Sequence, residues 1–211
     1  MTIDTNDMLG SILKSLSNID YVKPEDIPNI DLYMDQVTTF MDAALSHSKR
    51  YPDDKILTKT MINNYAKNDL LPPPIKKKYS REHMLMLVFI YYFKSVLSIT
   101  DIQSLLKPLT DKYFQSDGEM NLIDVYNEVF GAEKEQVEIL MKNITKSYER
   151  AGETFGDAPE EDREFLRQFS FICILSFDVY VKKGIIEKII DSMGKKEEPD
   201  EKNKKKMIPG L

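Results

Sequence analysis

The stretch from Leu57 to Leu106 constrains the fold of this chain more than any other part. It contains, in order, a short polar segment, three consecutive prolines, three consecutive lysines and two apolar segments with helical spacing. In the short segment, from Thr58 to Lys67, Met61, Ile62 and Tyr65 share the spacing of residues that face a core. Its other side is polar. We therefore expect a short helix that is anchored by a few apolar side chains and offers its polar face to a partner.

The composition favours an all-α fold. At 211 residues with 42% hydrophobic content, the chain can bury a sizeable core without disulfide bonds. Its 8 glycines and 10 prolines are few for a chain of many turns and short strands. The single cysteine, Cys173, lies between two isoleucines. We interpret it as a packed free thiol in a reducing compartment.

No segment of the sequence has the pattern of a signal peptide or a membrane span. The N-terminal residues lack a basic start followed by a long apolar run. The most apolar segment, from Phe165 to Val181, contains Arg167 and Asp178, which are costly in hydrocarbon. We therefore expect a cytoplasmic protein with no membrane partner, in which this segment is a core helix.

The charge is distributed unevenly along the chain. The formal net charge is −6, which argues against binding nucleic acid over the whole surface. From residue 50 to residue 83, however, there are eight basic and four acidic residues, a balance of 8 − 4 = +4. The basic residues are Arg50, Lys55, Lys59, Lys67, Lys76, Lys77, Lys78 and Arg81. This pattern predicts a positive face on an acidic body.

Start and stop signals divide the chain into four parts. A first helix is expected within residues 1–20, and a helix from Leu32 to His47 opens a domain expected over residues 30–116. Asp117 and Gly118 mark the expected boundary with an acidic helical bundle over residues 117–194. The charged tail, residues 195–211, is expected to be disordered.

Three polar residues of the first half are candidate helix caps. Thr58 precedes the short helix, Ser80 precedes a helix over residues 81–95, and Ser98 precedes a helix that continues to about residue 109. Ser98 is followed three residues later by Asp101, a variant of the capping box.

The second half contains three further predicted helices. They cover residues 121–131, residues 134–150 and a segment that begins at Pro159 and is apolar nearly all round from Phe165 to Val181. We expect this last helix to lie at the centre of the second half and to bend at Gly184. Its aromatic residues are expected to be core. The alternative is that they line a pocket for a small apolar effector.

The stretch from Leu57 to Leu106 resembles the MerR-type regulators, bacterial transcription factors with a winged helix-turn-helix. The matching residues are Ile62, Asn63, Asn64 and Tyr65, then Leu70, Leu71, Pro72 and Pro73, then Lys78, Tyr79 and Ser80, and finally Ser98, Ile102, Leu105 and Leu106. In that family the corresponding positions form a recognition helix, its exit, a wing and two further helices. The resemblance implies a MerR-like winged helix-turn-helix half that binds double-stranded DNA, followed by the acidic helical-bundle half.

The chain departs from the MerR pattern at three places. Asn63 stands where the family usually has arginine, Asp69 stands where it has glycine, and the wing between Pro74 and Tyr79 is shorter. The whole chain, through LYMDQV, LTKTMINNY and LLPPPIKKKYSREH, resembles more closely a bacterial family known as domain of unknown function 1836. That closer resemblance implies no activity.

We predict a DNA site on the short helix and the basic connector. Its residues are Thr58, Lys59, Thr60, Asn63, Asn64, Lys67, Lys76, Lys77, Lys78, Tyr79 and Arg81. Residues 59, 60, 63 and 64 are expected to enter the major groove, and the remaining cations to hold phosphates. For Tyr79, a phosphate contact and a packed ring are alternatives. For the helix and the lysine run, the alternative is a solvated polar surface.

Partners other than DNA follow from the same argument. A homodimer is expected because one short helix contacts too few base pairs. The alternative function is a protein-interaction or anti-regulator module that kept the helix-turn-helix frame without binding DNA.

His47 and His83 have no second ligand at metal-binding spacing. We find no catalytic constellation and no cofactor motif, and so expect neither enzyme activity nor a cofactor.

Overall fold

The computed structural model describes residues 10–11, 13–14, 22–131 and 133–194 of the chain. Helices make up 69% of it and strands 3%, which confirms the all-α character. Most of the predicted N-terminal helix lies outside the described residues, although residues 10–11 and 13–14 are helical. The predicted tail, residues 195–211, lies wholly outside them.

The first half combines helices with one small sheet. A 3-10 turn at Pro24–Asp26 precedes strand β1 (Leu32–Tyr33), which leads directly into α1 (Met34–Ala44). A second 3-10 turn at Ser46–Ser48 is followed by α2 (Lys59–Lys67), β2 (Lys78–Tyr79), α3 (Arg81–Phe93) and α4 (Ile99–Tyr113). The two strands pair antiparallel, with Leu32 opposite Tyr79 and Tyr33 opposite Lys78. The helices predicted here from sequence are confirmed.

Two of the three predicted caps, Thr58 and Ser98, accept side-chain hydrogen bonds at the helix starts. The Thr58 hydroxyl accepts a hydrogen bond from the Met61 backbone N–H at 3.2 Å. Ser98 Oγ accepts one from the Asp101 N–H at 3.1 Å, and Asp101 Oδ2 accepts one from the Ser98 N–H at 3.2 Å. Local sequence therefore determines where α2 and α4 begin.

The second half contains α5 (Leu122–Gly131), α6 (Glu133–Gly152) and α7 (Glu160–Gly194). The last of these is one continuous helix that includes Gly184, the glycine at which we predicted a bend. At the described positions no helix is both long enough and apolar enough to cross a membrane.

The main core is centred on α3, in which every residue from His83 to Ile90 is buried. Around it pack apolar side chains from α1, α2 and α4 and also Leu122, Tyr126 and Phe130 of α5. The Tyr126 hydroxyl donates a hydrogen bond to the Val22 carbonyl at 2.7 Å. The core thus extends past the boundary expected at residue 117 and includes α5.

Much of α7 is exposed, contrary to the expectation of a central buried helix. Only Phe171 and Ile190 of this helix are buried. Phe165 is 68% exposed and Tyr180 is 72% exposed. Cys173 is also exposed, which corrects its interpretation as a packed thiol. An apolar pattern around the whole helix requires partners on every side, and within the described chain α7 has them on only part of its circumference.

Candidate nucleic-acid interface

The short helix α2 has one buried side and one exposed polar side. Ile62 and Tyr65 are buried, and burial raises the pKa of the Tyr65 hydroxyl. The predicted polar residues Lys59, Thr60, Asn63, Asn64 and Lys67 are exposed. The expectation that a few apolar residues anchor this helix is confirmed. Its polar side is sterically available to a ligand.

At the exit of α2, Asp69 stands where the MerR pattern has glycine. Asp69 has φ 54°, in the left-handed region, and directly follows Asn68, the C-cap residue of α2. The Leu70 N–H donates to the Tyr65 carbonyl at 2.9 Å, which is the long hydrogen bond of a Schellman-type helix end. Leu70 and Leu71 then enter the core. Glycine adopts this conformation without strain, whereas aspartate adopts it at some cost.

The basic connector is a tight hairpin with two strained lysines at its tip. Ile75 and Lys78 exchange two backbone hydrogen bonds, of 3.1 and 2.9 Å. Between them, Lys76 has φ 51° and Lys77 has φ 64°, and both side chains are exposed. Two central residues with positive φ characterise a type I′ turn, which favours asparagine and glycine. Here the tip positions hold two cations instead.

The strand that follows the tip is anchored to β1. The Lys78 ammonium lies 5.3 Å from the centroid of the Tyr33 ring, a cation–π distance. Tyr79 is only 3% exposed, and burial raises the pKa of its hydroxyl. Its ring makes an edge contact with the His83 ring, with centroids 5.5 Å apart. Of the two alternatives for Tyr79 the structure supports the packed ring, and we remove this residue from the interface.

Arg81 also has a structural role. Its Nε donates a hydrogen bond to the Pro24 carbonyl at 2.9 Å, and the side chain is half-buried. This bond ties the first turn of α3 to the segment before β1. Because its Nε is engaged in that contact and the side chain is half-buried, we assign Arg81 a structural role and leave it out of the proposed phosphate contacts.

His83 is a structural residue that sequence analysis did not identify. It is 1% exposed, and its Nδ1 accepts a hydrogen bond from the Ser80 N–H at 3.0 Å, completing the cap of α3. Its ring meets that of Phe114 edge-on, with centroids 4.8 Å apart. Burial lowers the pKa of His83, although the carbonyls of Pro73 and Pro72 and the Asp31 carboxylate act in the opposite direction. Nε2 itself makes no well-formed hydrogen bond. The signal that could have revealed this role is its position three residues after Ser80.

Contacts at the start of α1 bring the helix and the hairpin together. Lys59, the first residue of α2, forms an ion pair with Asp35 in the first turn of α1. Two residues before Asp35, Tyr33 pairs with Lys78 of the hairpin. The start of α2 and the hairpin therefore flank the same end of α1. Lys59 and the hairpin lysines Lys76, Lys77 and Lys78 therefore lie at this end of the domain.

A cleft of about 510 Å³ lies between α1 and the start of α2. Hydroxyl groups of Thr38, Thr39 and Thr58 line it, together with Lys55 and Lys59. Asp42 is the acidic residue of its wall. The Thr38 and Thr39 hydroxyls donate hydrogen bonds to the Asp35 carbonyl within α1, and the Thr58 hydroxyl caps α2, so these groups serve the helices.

Comparisons with known proteins place the chain in one family. Residues 22–129 match the domain of unknown function DUF1836, which covers the sheet, α1 to α4 and nearly all of α5. A comparison with curated proteins found no match. A comparison with solved structures found no match either. The matched region includes the main core and the candidate interface and accounts for half of the chain. This chain therefore belongs to the DUF1836 family, a domain of unknown function.

Proposed function

We propose that this protein is a bacterial transcriptional regulator that binds double-stranded DNA through a MerR-like winged helix-turn-helix. The order of elements supports the proposal. A strand that pairs with the wing, two crossing helices, a basic hairpin and two further helices follow one another from Leu32 to Tyr113. The connection between α1 and α2, residues 45–58, is longer than the usual turn of about three or four residues. We place the regulator in the cytoplasm.

The observation that carries the proposal is the tip of the hairpin. A left-handed conformation costs an ordinary residue roughly 1–2 kcal/mol, and Lys76 and Lys77 both adopt it. Strain of this kind occurs at sites where the residue type serves a function. The tip presents two exposed ammonium groups beside an exposed polar helix. Such groups are suited to bind the phosphates on either side of a groove.

Each interface residue has a role that follows from its position. Thr60, Asn63 and Asn64 lie on the exposed side of α2 and would contact base edges, for which asparagine pairs best with adenine. Lys67 and the two tip lysines would contact phosphates. Lys59 is paired with Asp35, and both side chains are well exposed, 61% and 76%. An exposed pair is worth at most about 1 kcal/mol, so a phosphate can displace the aspartate.

We further propose that the regulator is a homodimer that associates through α7. Phe165, Phe169 and Ile172 follow one another at spacings of four and three residues, and Val179 lies two turns, seven residues, after Ile172. Each of the four is more than half exposed. Phe177 and Tyr180 extend this face. At about 200 Å² for each aromatic side chain, the four exposed rings alone leave roughly 500 Å² of apolar surface. With the neighbouring aliphatic side chains this approaches the roughly 800 Å² per partner of a stable interface.

The charges on α7 favour a second copy in antiparallel orientation. The first turn carries Glu160, Glu161 and Asp162. In an antiparallel pair centred near Ile172, this turn meets the segment of the other copy that contains Lys182. In the monomer that lysine makes only an exposed pair with Asp178, one turn away, at 2.6 Å. The acidic and basic ends of the apolar face are thus complementary to each other.

A salt titration of DNA binding tests the proposed phosphate contacts. Genomic fragments retained by the protein are selected and sequenced, and affinity for one fragment is measured by fluorescence anisotropy at about 50 to 200 mM salt. Each lost phosphate contact reduces the slope of log affinity against log salt by about 0.9, so Lys76→Ala/Lys77→Ala should reduce it by about two. Asn63→Ala should instead change the sequence preference.

The matched control is Lys107→Ala/Lys112→Ala, which removes the same charge from exposed positions on α4. We expect the control to keep nearly all of the parental slope. If the tip variant and the control change the slope equally, the hairpin does not contact phosphates.

The alternative function, a protein-interaction or anti-regulator module without DNA binding, is favoured by two acidic residues. Asp35 forms an ion pair with Lys59, and Asp69 lies exposed at the exit of α2. Such a module would pass through heparin at low salt and would retain a protein partner in a pull-down. Retention on heparin that is lost in the tip variant favours the DNA-binding function.

A further inference from the structure

A second cleft lies on the long connection between α1 and α2. It has a volume of about 470 Å³, within the range of about 300–1,000 Å³ that is usual for small-ligand sites. One wall is the C-terminal end of α3, with Tyr91, Tyr92 and Lys94. The other wall is the connection itself, with Lys49 and Lys55. Three lysines and two tyrosines thus surround a space large enough for a small organic molecule.

Lys94 is held in this cleft without an acidic partner. Its ammonium donates a hydrogen bond to the Ile56 carbonyl at 3.0 Å and lies 4.6 Å from the centroid of the Tyr91 ring. No carboxylate of the described residues is within ion-pair distance of it. Burial lowers the pKa of Lys94, which means that its charge is incompletely compensated.

The remaining charges leave the cleft positive. The Lys49 ammonium is neutralised by Asp42 at 2.7 Å. The carboxylate of Asp54, the acidic residue of the lining, accepts a hydrogen bond from the Tyr51 backbone N–H at 2.9 Å within its own turn. Lys55 is exposed and makes no ion pair with a described residue. Lys55 and Lys94 are therefore the cations available to a ligand.

We propose that this cleft binds a small organic anion, a carboxylate or a phosphate monoester, between the ammonium groups of Lys94 and Lys55, with its body against the two tyrosines. A bound anion would supply the negative counter-charge that the Lys94 ammonium lacks. The ammonium is half-buried, and ion pairs in such positions are stronger than in water. The tyrosine rings supply the apolar contact that such sites normally have. The site lies in the first half, whereas the sequence analysis considered an effector pocket in the second.

Binding at this cleft would act on the recognition helix. The Ile56 carbonyl that Lys94 holds belongs to a buried pair, Ile56 and Leu57, directly before the cap residue Thr58. An anion that draws the Lys94 ammonium away from this carbonyl changes the anchoring of the segment that starts α2. We infer that the anion is an effector of DNA affinity. This coupling rests on the proposed function, whereas the binding site does not.

Calorimetry on the full chain tests the site in the absence of DNA. The probes are phenyl phosphate and benzoate, with benzyl alcohol as the uncharged analogue. We expect saturable binding of at least one anion and no binding of the alcohol. Lys94→Met and Lys55→Met should each weaken binding tenfold or more, while the exposed Lys107→Met on α4 should leave it unchanged. Lys55→Met keeps the test valid if Lys94→Met fails to fold, because Lys55 is exposed.

The outcomes separate the site from the coupling. A preference for phenyl phosphate assigns the phosphate monoester, and a preference for benzoate assigns the carboxylate. Absence of saturable binding, or equal binding by all three variants, overturns the site. The preferred anion is then added to the DNA titration, where a several-fold change in affinity that Lys55→Met abolishes supports the coupling. An unchanged affinity overturns the coupling alone. A protein that binds the anion but no DNA overturns the proposed function and with it the coupling, but not the binding site.

Discussion

Left-handed residues at Asp69, Lys76 and Lys77 show how single positions shape the interface. Each reverses the chain where a hydrogen-bonded element ends, and none of them is glycine. At Asp69 the reversal sends Leu70 and Leu71 into the core, so the strain is offset by burial. At the hairpin tip the side chains meet only solvent, so no packing compensates for the strain. Packing therefore gives a reason for the left-handed residue at Asp69 but none for the two lysines at the tip.

Substituting the tip with a favourable turn should separate stability from binding. Lys76→Asn/Lys77→Gly places in the type I′ turn the two residues that suit it best. We expect the free energy of unfolding, measured by urea denaturation, to rise by about 1–2 kcal/mol because the left-handed strain is removed. DNA affinity should fall as it does in the alanine variant. A variant that is more stable and binds DNA like the parent would contradict the role of the tip lysines.

His83 should make stability depend on pH. Its folded pKa is lowered by burial, whereas the unfolded chain has the usual value of about 6.5. As pH falls below about 6.5 the unfolded state takes up the proton first, so stability should fall, by up to about 1.4 kcal/mol per pH unit, until the folded pKa is reached. Above about 6.5 this contribution is fully present. Urea denaturation at a series of pH values measures it.

His83→Gln is the control for this pH dependence, because its amide oxygen can accept the Ser80 N–H but does not titrate. Glu82, whose carboxylate accepts the Gln115 N–H, has a pKa raised by burial, so its contribution to stability increases as pH falls, opposite in sign to that of His83. The slope just below pH 6.5 should therefore disappear in His83→Gln. A slope that persists in this variant would show that another group is responsible.

At the scale of elements, α7 differs most from its expected role. A helix that is apolar on every side is normally buried on every side. The described chain covers α7 with α6 near Phe171 and with the main core near Ile190. The rings of Phe165 and Phe169, before these contacts, and of Phe177 and Tyr180, between them, remain exposed. An isolated monomer rarely exposes more than about 300–600 Å² in one apolar patch, which is the reason for the proposed dimer.

A single charged substitution on this face should dissociate the dimer. Phe169 is 53% exposed in the monomer and lies near the centre of the apolar face. Phe169→Asp buries a carboxylate in the interface, so we expect dissociation to monomers at micromolar concentration, measured by sedimentation equilibrium. Met120→Asp, a substitution at a position 52% exposed in the loop between α4 and α5, should leave the mass unchanged. Equal masses for the parent and Phe169→Asp would disprove this interface.

On the scale of the whole molecule, Lys59 and the hairpin lysines lie at the same end of α1 in an otherwise acidic chain. The helix α2 and the hairpin are held there by β1 and α1, and the main core behind them reaches from Val22 to Ile190. Two copies joined along α7 would present two such ends to one duplex, which is how a short recognition helix obtains a long enough site. The cleft at Lys94 lies between that core and the connection into α2.

The sequence by itself determined the helices and their starting points. Thr58, Ser98 and Asp101 form the predicted caps because a cap depends only on residues within one turn. The anchored side of α2 was predictable for the same reason, since periodicity follows from the geometry of a single helix. The polar residues exposed on α2 and at the hairpin tip were all identified from the sequence.

Only the tertiary structure decided which surfaces are covered. It buried the rings of Tyr79 and His83 against each other, bonded Arg81 to the Pro24 carbonyl, joined α5 to the main core and left Cys173 exposed on α7. Each of these outcomes depends on residues far away along the chain, and an apolar or basic side chain carries no local sign of its distant partner. The left-handed tip lysines are also a tertiary result, because the pairing of β2 with β1 sets the register that closes the hairpin at residues 76 and 77.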